Sequence, residues 1–300
     1  MSDLQQKLVL GIGEILWDVL PDGKYLGGAP ANFAFHAAQL GANARIVSAI
    51  GDDPLGQEIL QQLDGLDVPT DLIASLLDRP TGTVTVELDG AGLPSYTIHE
   101  GVAWDAIPMT DAIREAASQA DAVCFGSLAQ RSETSRATIR EILSATPAEC
   151  LRVFDINLRQ HYFDRATLEE GLQAANVLKL NDEELPVLIG LLENDKPLPA
   201  NANFNLENVL LGLVGYFDLK MVALTRGERG AILVTPDSWN ESPGKKVEVA
   251  DTVGAGDAMT AAITMGLLRG EAPASIITSA TNLAAYVCTQ AGATPKHPAA

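Results

Sequence analysis

Asp251-Thr252-Val253-Gly254-Ala255-Gly256-Asp257-Ala258-Met259 decides how this chain is read. A turn of small residues, with acids at both ends, runs straight into an apolar helical pattern: Ala258, Met259, Ala261, Ala262, Ile263, Met265, Leu267 and Leu268. Such a helix start presents unpaired N–H groups, which attract anions and phosphate above all. Asp257 stands in the same first turn. A carboxylate beside a phosphate is electrostatically unfavourable unless it takes a proton from something. The stretch therefore reads as a phosphoryl-transfer site with Asp257 as the base.

Upstream of that stretch, short β-rich runs alternate with helical patterns. Strands are expected at 8–12, 45–50, 122–125, 152–155, 177–180 and 221–224, and helices at 30–40, 56–63, 132–143 and 168–174. Strands separated by helices imply parallel crossovers and a sheet covered on both faces, an α/β chain. One segment breaks the pattern. Residues 82–88 alternate with period two, 89–92 form a turn signal and 95–98 return, which is a hairpin signature. Residues 15–20 and 24–26 would add strands to it. A small β-sheet projecting from the core suggests a lid; the other reading is an antiparallel extension of the main sheet. The Asn- and Pro-rich segment 193–208 is expected to be an irregular loop.

Composition narrows the partners. A formal charge of −19 over 300 residues argues against nucleic acid and anionic membranes. Any site for an anionic ligand must then be built locally, from backbone amides, a few basic side chains and metal. Cys124, Cys150 and Cys288 are scattered among apolar neighbours, without a Cys-x-x-Cys pair or a His cluster. They read as reduced core residues of a cytoplasmic protein. No apolar run reaches the roughly 18–20 residues that span a bilayer.

Several local patterns carry chemistry. Gly11-Ile12-Gly13-Glu14-Ile15-Leu16 begins like a dinucleotide fingerprint, but Leu16 occupies the place of its last glycine, and a Walker-type phosphate loop is absent. Asp18 follows the first strand and reads either as a turn residue or as a ligand-facing carboxylate. Gly27-Gly28-Ala29-Pro30-Ala31-Asn32 is either an ordinary helix start or a close backbone approach to a ligand, with Asn32 able to bond a polyol. Lys179-Leu180-Asn181-Asp182-Glu183-Glu184 offers a helix cap, Asn181 with Glu184 at capping-box spacing, or a polar cluster for hydrated Mg²⁺. Thr225-Arg226-Gly227-Glu228-Arg229-Gly230 is a hairpin or a glycine turn that admits phosphates.

Taken in order, Gly27-Gly28-Ala29-Pro30-Ala31-Asn32-Phe33-Ala34, Asn181-x-x-Glu184, Thr225-x-Gly227-x-x-Gly230 and Asp251-Thr252-x-Gly254-Ala255-Gly256-Asp257 closely resemble the ribokinase-like (PfkB) carbohydrate kinase family over essentially the whole chain. Gly-Gly-Ala-Pro-Ala-Asn together with Gly13-Glu14-x-x-x-Asp18 resembles its fructokinase branch. The resemblance implies a single kinase domain over 1–300: a three-layer α/β/α core with a mostly parallel sheet, and lid strands from about 15–26 and 82–101. It implies that Asp257 deprotonates the sugar hydroxyl and that Gly254, Ala255 and Gly256 form an anion hole. Asp18, Gly28 and Asn32 match sugar-binding positions, and Arg159, in Asp155-Ile156-Asn157-Leu158-Arg159, would reach substrate or phosphate. Asn181, Glu184, Thr225, Gly227 and Asn282 match nucleotide-side positions, with Glu184 organising Mg²⁺ through water. Asp251, with the backbone near Val253 and Gly292, would hold a monovalent cation such as K⁺. Two positions depart from the fructokinase pattern, Ile156 where Pro is common and Phe163 where Trp is common.

The expectation is an ATP-dependent sugar kinase with D-fructose as first substrate. 2-Keto-3-deoxygluconate is the second, because Arg159 could pair with a sugar-acid carboxylate, and ribose follows. The rivals from other classes are a catalytically silent sugar- or nucleotide-binding regulator and a dinucleotide oxidoreductase. An exposed apolar lid face would favour a homodimer.

Overall fold

Leu10 and Ile12 of β1 (Leu8–Ile12) pack into one apolar cluster and Val9 into another. Successive strand side chains point to opposite faces, so one strand feeds two cores. The same split recurs along the chain and produces layers. In the computed structural model, which describes residues 7–20, 23–88, 94–192 and 205–298, β1 is followed by β2 (Leu16–Leu20), β3 (Gly23–Gly27), α1 (Ala29–Gln39), β4 (Asn43–Gly51) and α2 (Pro54–Gly65). Then come β5 (Ile73–Leu76), β6 (Gly82–Leu88), β7 (Pro94–Ile98), α3 (Asp111–Gln119), β8 (Ala122–Phe125), α4 (Glu133–Ala145), β9 (Leu151–Asp155) and α5 (Arg165–Ala174). The rest comprises β10 (Val177–Asn181), α6 (Glu184–Leu192), α7 (Leu206–Tyr216), β11 (Met221–Thr225), β12 (Ala231–Thr235), β13 (Ser238–Ser242), α8 (Ala255–Leu268) and α9 (Pro273–Cys288).

Buried residues of α3 to α7 join the cluster that holds Leu10, Phe125, Phe154 and Leu180. Those of α1, α2, α8 and α9 join the cluster that holds Val9, Cys124, Val153 and Val177. Helices thus cover both faces of one sheet, the three-layer α/β/α arrangement expected. The sheet has the strand order β13-β12-β11-β10-β9-β8-β1-β4-β5. Pairings from β5 through to β11 are parallel, and β12 and β13 close the far edge antiparallel.

Strands β2 and β3, expected at 15–26, and β6 and β7, expected at 82–101, form a separate four-stranded sheet, β3-β2-β6-β7, rather than an extension of the main one. Its outer pairs are antiparallel and its central β2–β6 pair is parallel. The turn expected at 89–92 and most of the loop expected at 193–208 lie outside the described residues; 206–208 begin α7. Among the described residues no helix is long and apolar enough to cross a membrane.

Strand order also fixes where a ligand can sit. From β1 the chain moves to β4 on one side, and β8 then pairs on the other. At such a reversal the connections leave the strand ends in opposite directions, and a crevice opens beyond the carboxyl ends. Here that crevice lies past Ile12, Phe125 and Asp155.

Candidate active site

Three strand ends and two helix starts converge on the crevice. A small cavity there is lined by Glu14 after β1, Ala29, Pro30 and Phe33 of α1, Cys124 and Phe125 of β8 with Gly126 just past it, Asp155 and Asn157 at the end of β9, and Asp257 of α8. Asp257 and Asn32 stand in the first turns of their helices, 225 positions apart in sequence, and Asn32 Nδ2 donates to Asp257 Oδ2 at 2.8 Å. Asn32 is buried, and its Oδ1 has no partner within the protein. A buried acceptor without a donor is costly, so a ligand hydroxyl would relieve it.

Asp257 retains some exposure to the crevice, yet burial pushes its pKa up to about 6. Asp155 adds to the rise, while the Asn32 hydrogen bond, Lys179 and Arg159 oppose it. Burial likewise lifts Glu14 to about 7 and Asp18 to about 6, in both cases against the pull of Arg159. A carboxylate poised near neutrality suits proton transfer at physiological pH.

Helix α8 begins at the turn of residues 251–254. Gly254 caps it in the left-handed region, with φ 78° and ψ −10°. Among the described residues, no hydrogen bond is made by the amides of Gly254 and Gly256, whereas Ala255 N–H donates to Thr252 O at 3.3 Å. Of the three amides expected to face an anion, two are therefore free donors and Ala255 is partly engaged.

The sugar-side residues expected from sequence come together. Asp18 lies on β2 opposite Tyr25 of β3, and its carboxylate covers Gly27, where a Cβ would stand 2.3 Å from Oδ2. Gly28 starts α1 with φ 112°. Arg159 is exposed on the loop after β9, within electrostatic reach of Glu14, Asp18 and Asp257.

A second group forms beside it. Asn181 of β10 pairs in register with Thr225 of β11, and Asp182 N–H donates to Thr225 O at 3.0 Å. Asn181 Oδ1 accepts from Glu184 N–H at 2.8 Å, and Glu184 Oε2 accepts from Asn181 N–H at 2.8 Å, so the capping box is formed. Glu184 Oε1 also accepts from Leu158 N–H at 2.9 Å, tying this helix start to the Arg159 loop. With both oxygens bonded to amides, Glu184 suits contact with Mg²⁺ through water rather than direct ligation. Gly227 lies in a 3-10 turn with φ 56°, at the hairpin between β11 and β12. Asn282 is exposed on α9. Asp251 Oδ1 and Oδ2 accept from Val253 N–H and Gly292 N–H at 3.0 and 3.2 Å, joining the two loops expected around a monovalent cation.

Residues 20–300 match the model of the pfkB family of carbohydrate kinases. The chain belongs to this family. This PfkB sugar kinase is 30% identical to the fructokinase of Escherichia coli over 277 residues, 85% of this chain and 83% of that protein. It shares 27% identity and a TM-score of 0.76 with a solved sugar kinase, PH1459 of Pyrococcus horikoshii, in complex with ATP, over 96% of this chain and 94% of that one. A fructokinase of Vibrio cholerae O395, solved with fructose, ADP and calcium, matches at 25% identity and a TM-score of 0.79, covering 97% and 95% of the two chains.

Three further residues at the site of this PfkB kinase carry no role in the local sequence pattern. Glu14 stands out in sequence only as part of the Gly13-Glu14-x-x-x-Asp18 motif, though its Oε2 is buried without a partner. Asp155 and Lys179 sit in motifs that assign them no role, yet they form a buried ion pair at 2.9 Å. A lysine inside the apolar strand 177–180 was the available signal, since lysine is almost never buried unpaired.

Proposed function

We propose that this PfkB kinase transfers the γ-phosphoryl group of ATP to a hydroxyl of D-fructose. The observation that carries the reading is Asp257: a carboxylate at a helix start with free amides, held by Asn32 and lifted toward neutrality by burial. The sugar would lie between the main sheet and the small sheet, which acts as its lid, against Asp18, Gly28 and Asn32. ATP would extend past Asn181, Glu184, Thr225 and Gly227 toward Asn282. Mg²⁺ on its phosphates would neutralise their charge, with Glu184 reaching it through water, and Asp251 would hold a monovalent cation. Asp257 would accept the hydroxyl proton as that oxygen bonds to phosphorus and the bond to ADP breaks. The Gly254 and Gly256 amides would then face the charge gathering on the transferring group.

A neutral sugar fits better than a sugar acid. Arg159 is already shared among Glu14, Asp18 and Asp257, so a substrate carboxylate would enter a region with more acids than bases. ADP release with a panel of sugars should be highest for fructose. Turnover confined to 2-keto-3-deoxygluconate would overturn the choice, and sugar binding without ADP release would favour a silent regulator.

Because Asp257 must be ionised to take a proton, kcat/KM should rise with pH through about 6 and level off above it. A profile still rising steeply at pH 9, or flat down to pH 4, would remove Asp257 as the titrating base.

A further inference from the structure

Asp155 ends β9, Lys179 lies inside β10, and Thr260 reaches toward them from α8. Lys179 Nζ donates to Asp155 Oδ1 at 2.9 Å, and Thr260 Oγ1 donates to Asp155 Oδ2 at 2.8 Å. Both charged residues are more than nine-tenths buried. Burying an ion pair costs desolvation that its attraction rarely repays, and a well-packed apolar pair is often as stable. The pair therefore calls for a role other than stability.

Its position supplies one. A Cβ added to Gly256 would stand 3.2 Å from Lys179 Nζ, so a fixed ammonium abuts the residue whose N–H is left without an acceptor at the helix start. Thr260 is one turn further along the same helix, and its single hydroxyl proton is shared between Asp155 Oδ2 and Gly256 O, the latter at 3.0 Å. Asp155 thus grips the helix through Thr260 while it orients the ammonium.

We propose that the Asp155–Lys179–Thr260 cluster is a positioning element of the transfer site: it holds the first turn of α8 against the sheet and keeps one ammonium beside Gly256, where negative charge gathers as the phosphoryl group moves. This rests on the phosphoryl-transfer role of that helix start and is independent of which sugar is used. The two charges also act on Asp257 with opposite signs. Asp257 is faced by Asn32 of α1, Glu14 after β1, Asp155 of β9, Arg159 on the next loop and Lys179 of β10. Beyond the effect of burial, Asp155 raises its pKa and Lys179 lowers it.

A carboxyl ¹³C NMR titration of Asp257 in the full chain, without sugar or nucleotide, reads those signs directly. Relative to wild type, the midpoint should move up in Lys179→Met and down in Asp155→Asn. A midpoint that stays put, or moves the same way in both, overturns the proposal. The double variant Asp155→Asn/Lys179→Met removes both members of the ion pair together, so neither is left buried without the other, and it guards against misfolding of the singles. With ATP and the best sugar of the wild-type panel, its kcat should fall about tenfold or more while the sugar KM stays within about threefold, the pattern of a lost transition-state interaction. A wild-type kcat in the folded double variant overturns the proposal. A wrong choice of fructose leaves the titration unaffected, so the two failures are distinguishable.

Discussion

Asp257→Asn should lower kcat by about 10²–10⁴-fold while leaving ATP binding nearly intact, the range a general base contributes. The substitution is close to isosteric, and the amide oxygen can still accept from Asn32 Nδ2, so the contact between α1 and α8 survives. Removing a carboxylate whose charged form is penalised by burial leaves no unpaired ion behind. What is lost is the capacity to accept a proton. A melting temperature near that of wild type would show that the loss is chemical, and ATP affinity measured by calorimetry would show that the nucleotide side is undisturbed. Turnover close to wild type in a coupled ADP assay would sink the assignment.

The contrast between Asp257 and Lys179 shows which parts of this site can be read from sequence. Asp257 announces itself locally: small residues, an acid and an apolar helical period sit within one stretch, and each constrains the same few backbone amides. The Asn181–Glu184 box was legible for the same reason, since both partners lie within one turn. Lys179 meets Asp155 across 24 positions and Thr260 meets Asp155 across 105, and nothing in either local pattern names its partner. Only the sheet register, which places Val177 beside Val153 and Lys179 beside Asp155, makes the pair.

The same distinction runs through the fold. The interior strands were visible because buried parallel strands are continuous apolar runs; β1 and β8 coincide with the expected 8–12 and 122–125. The edge strands of the main sheet were not. β13 reads Ser-Trp-Asn-Glu-Ser and β5 reads Ile-Ala-Ser-Leu, and both are defined by backbone pairing with a neighbour rather than by side chains. The β4 strand extends to Asn43–Gly51, beyond the expected 45–50, for a related reason: Asn43 pairs with Leu8 through backbone, whatever its side chain prefers.

Gly254→Ala should lower kcat by about 10²–10³-fold, comparable to losing an anion-hole donor, and should destabilise the fold as well. At φ 78° a side chain costs roughly 1–2 kcal/mol in the left-handed region. Space is the larger obstacle. An added Cβ would stand 2.4 Å from Ala293 O and 2.7 Å from Ala293 Cα, both backbone atoms that cannot rotate away. Nor can Ala293 retreat freely, because its carbonyl accepts from His36 Nε2 at 3.0 Å. His36 is fully buried, burial lowers its pKa to about 4, and its neutral ring takes a second bond at 2.8 Å from His297. His36 also lies one turn beyond Asn32 on α1. Strain at Gly254 is thus transmitted to the helix that holds Asp257 as well as to the amides at the start of α8. Gly270→Ala separates the two effects: its φ is 68°, but no atom lies within 4 Å of the added Cβ. That variant should lose about 1–2 kcal/mol of stability from the backbone alone and keep its kcat. Steady-state kinetics and thermal denaturation of both variants decide the matter. If Gly254→Ala retains turnover as fully as Gly270→Ala, the turn before α8 is a helix cap and not an anion hole.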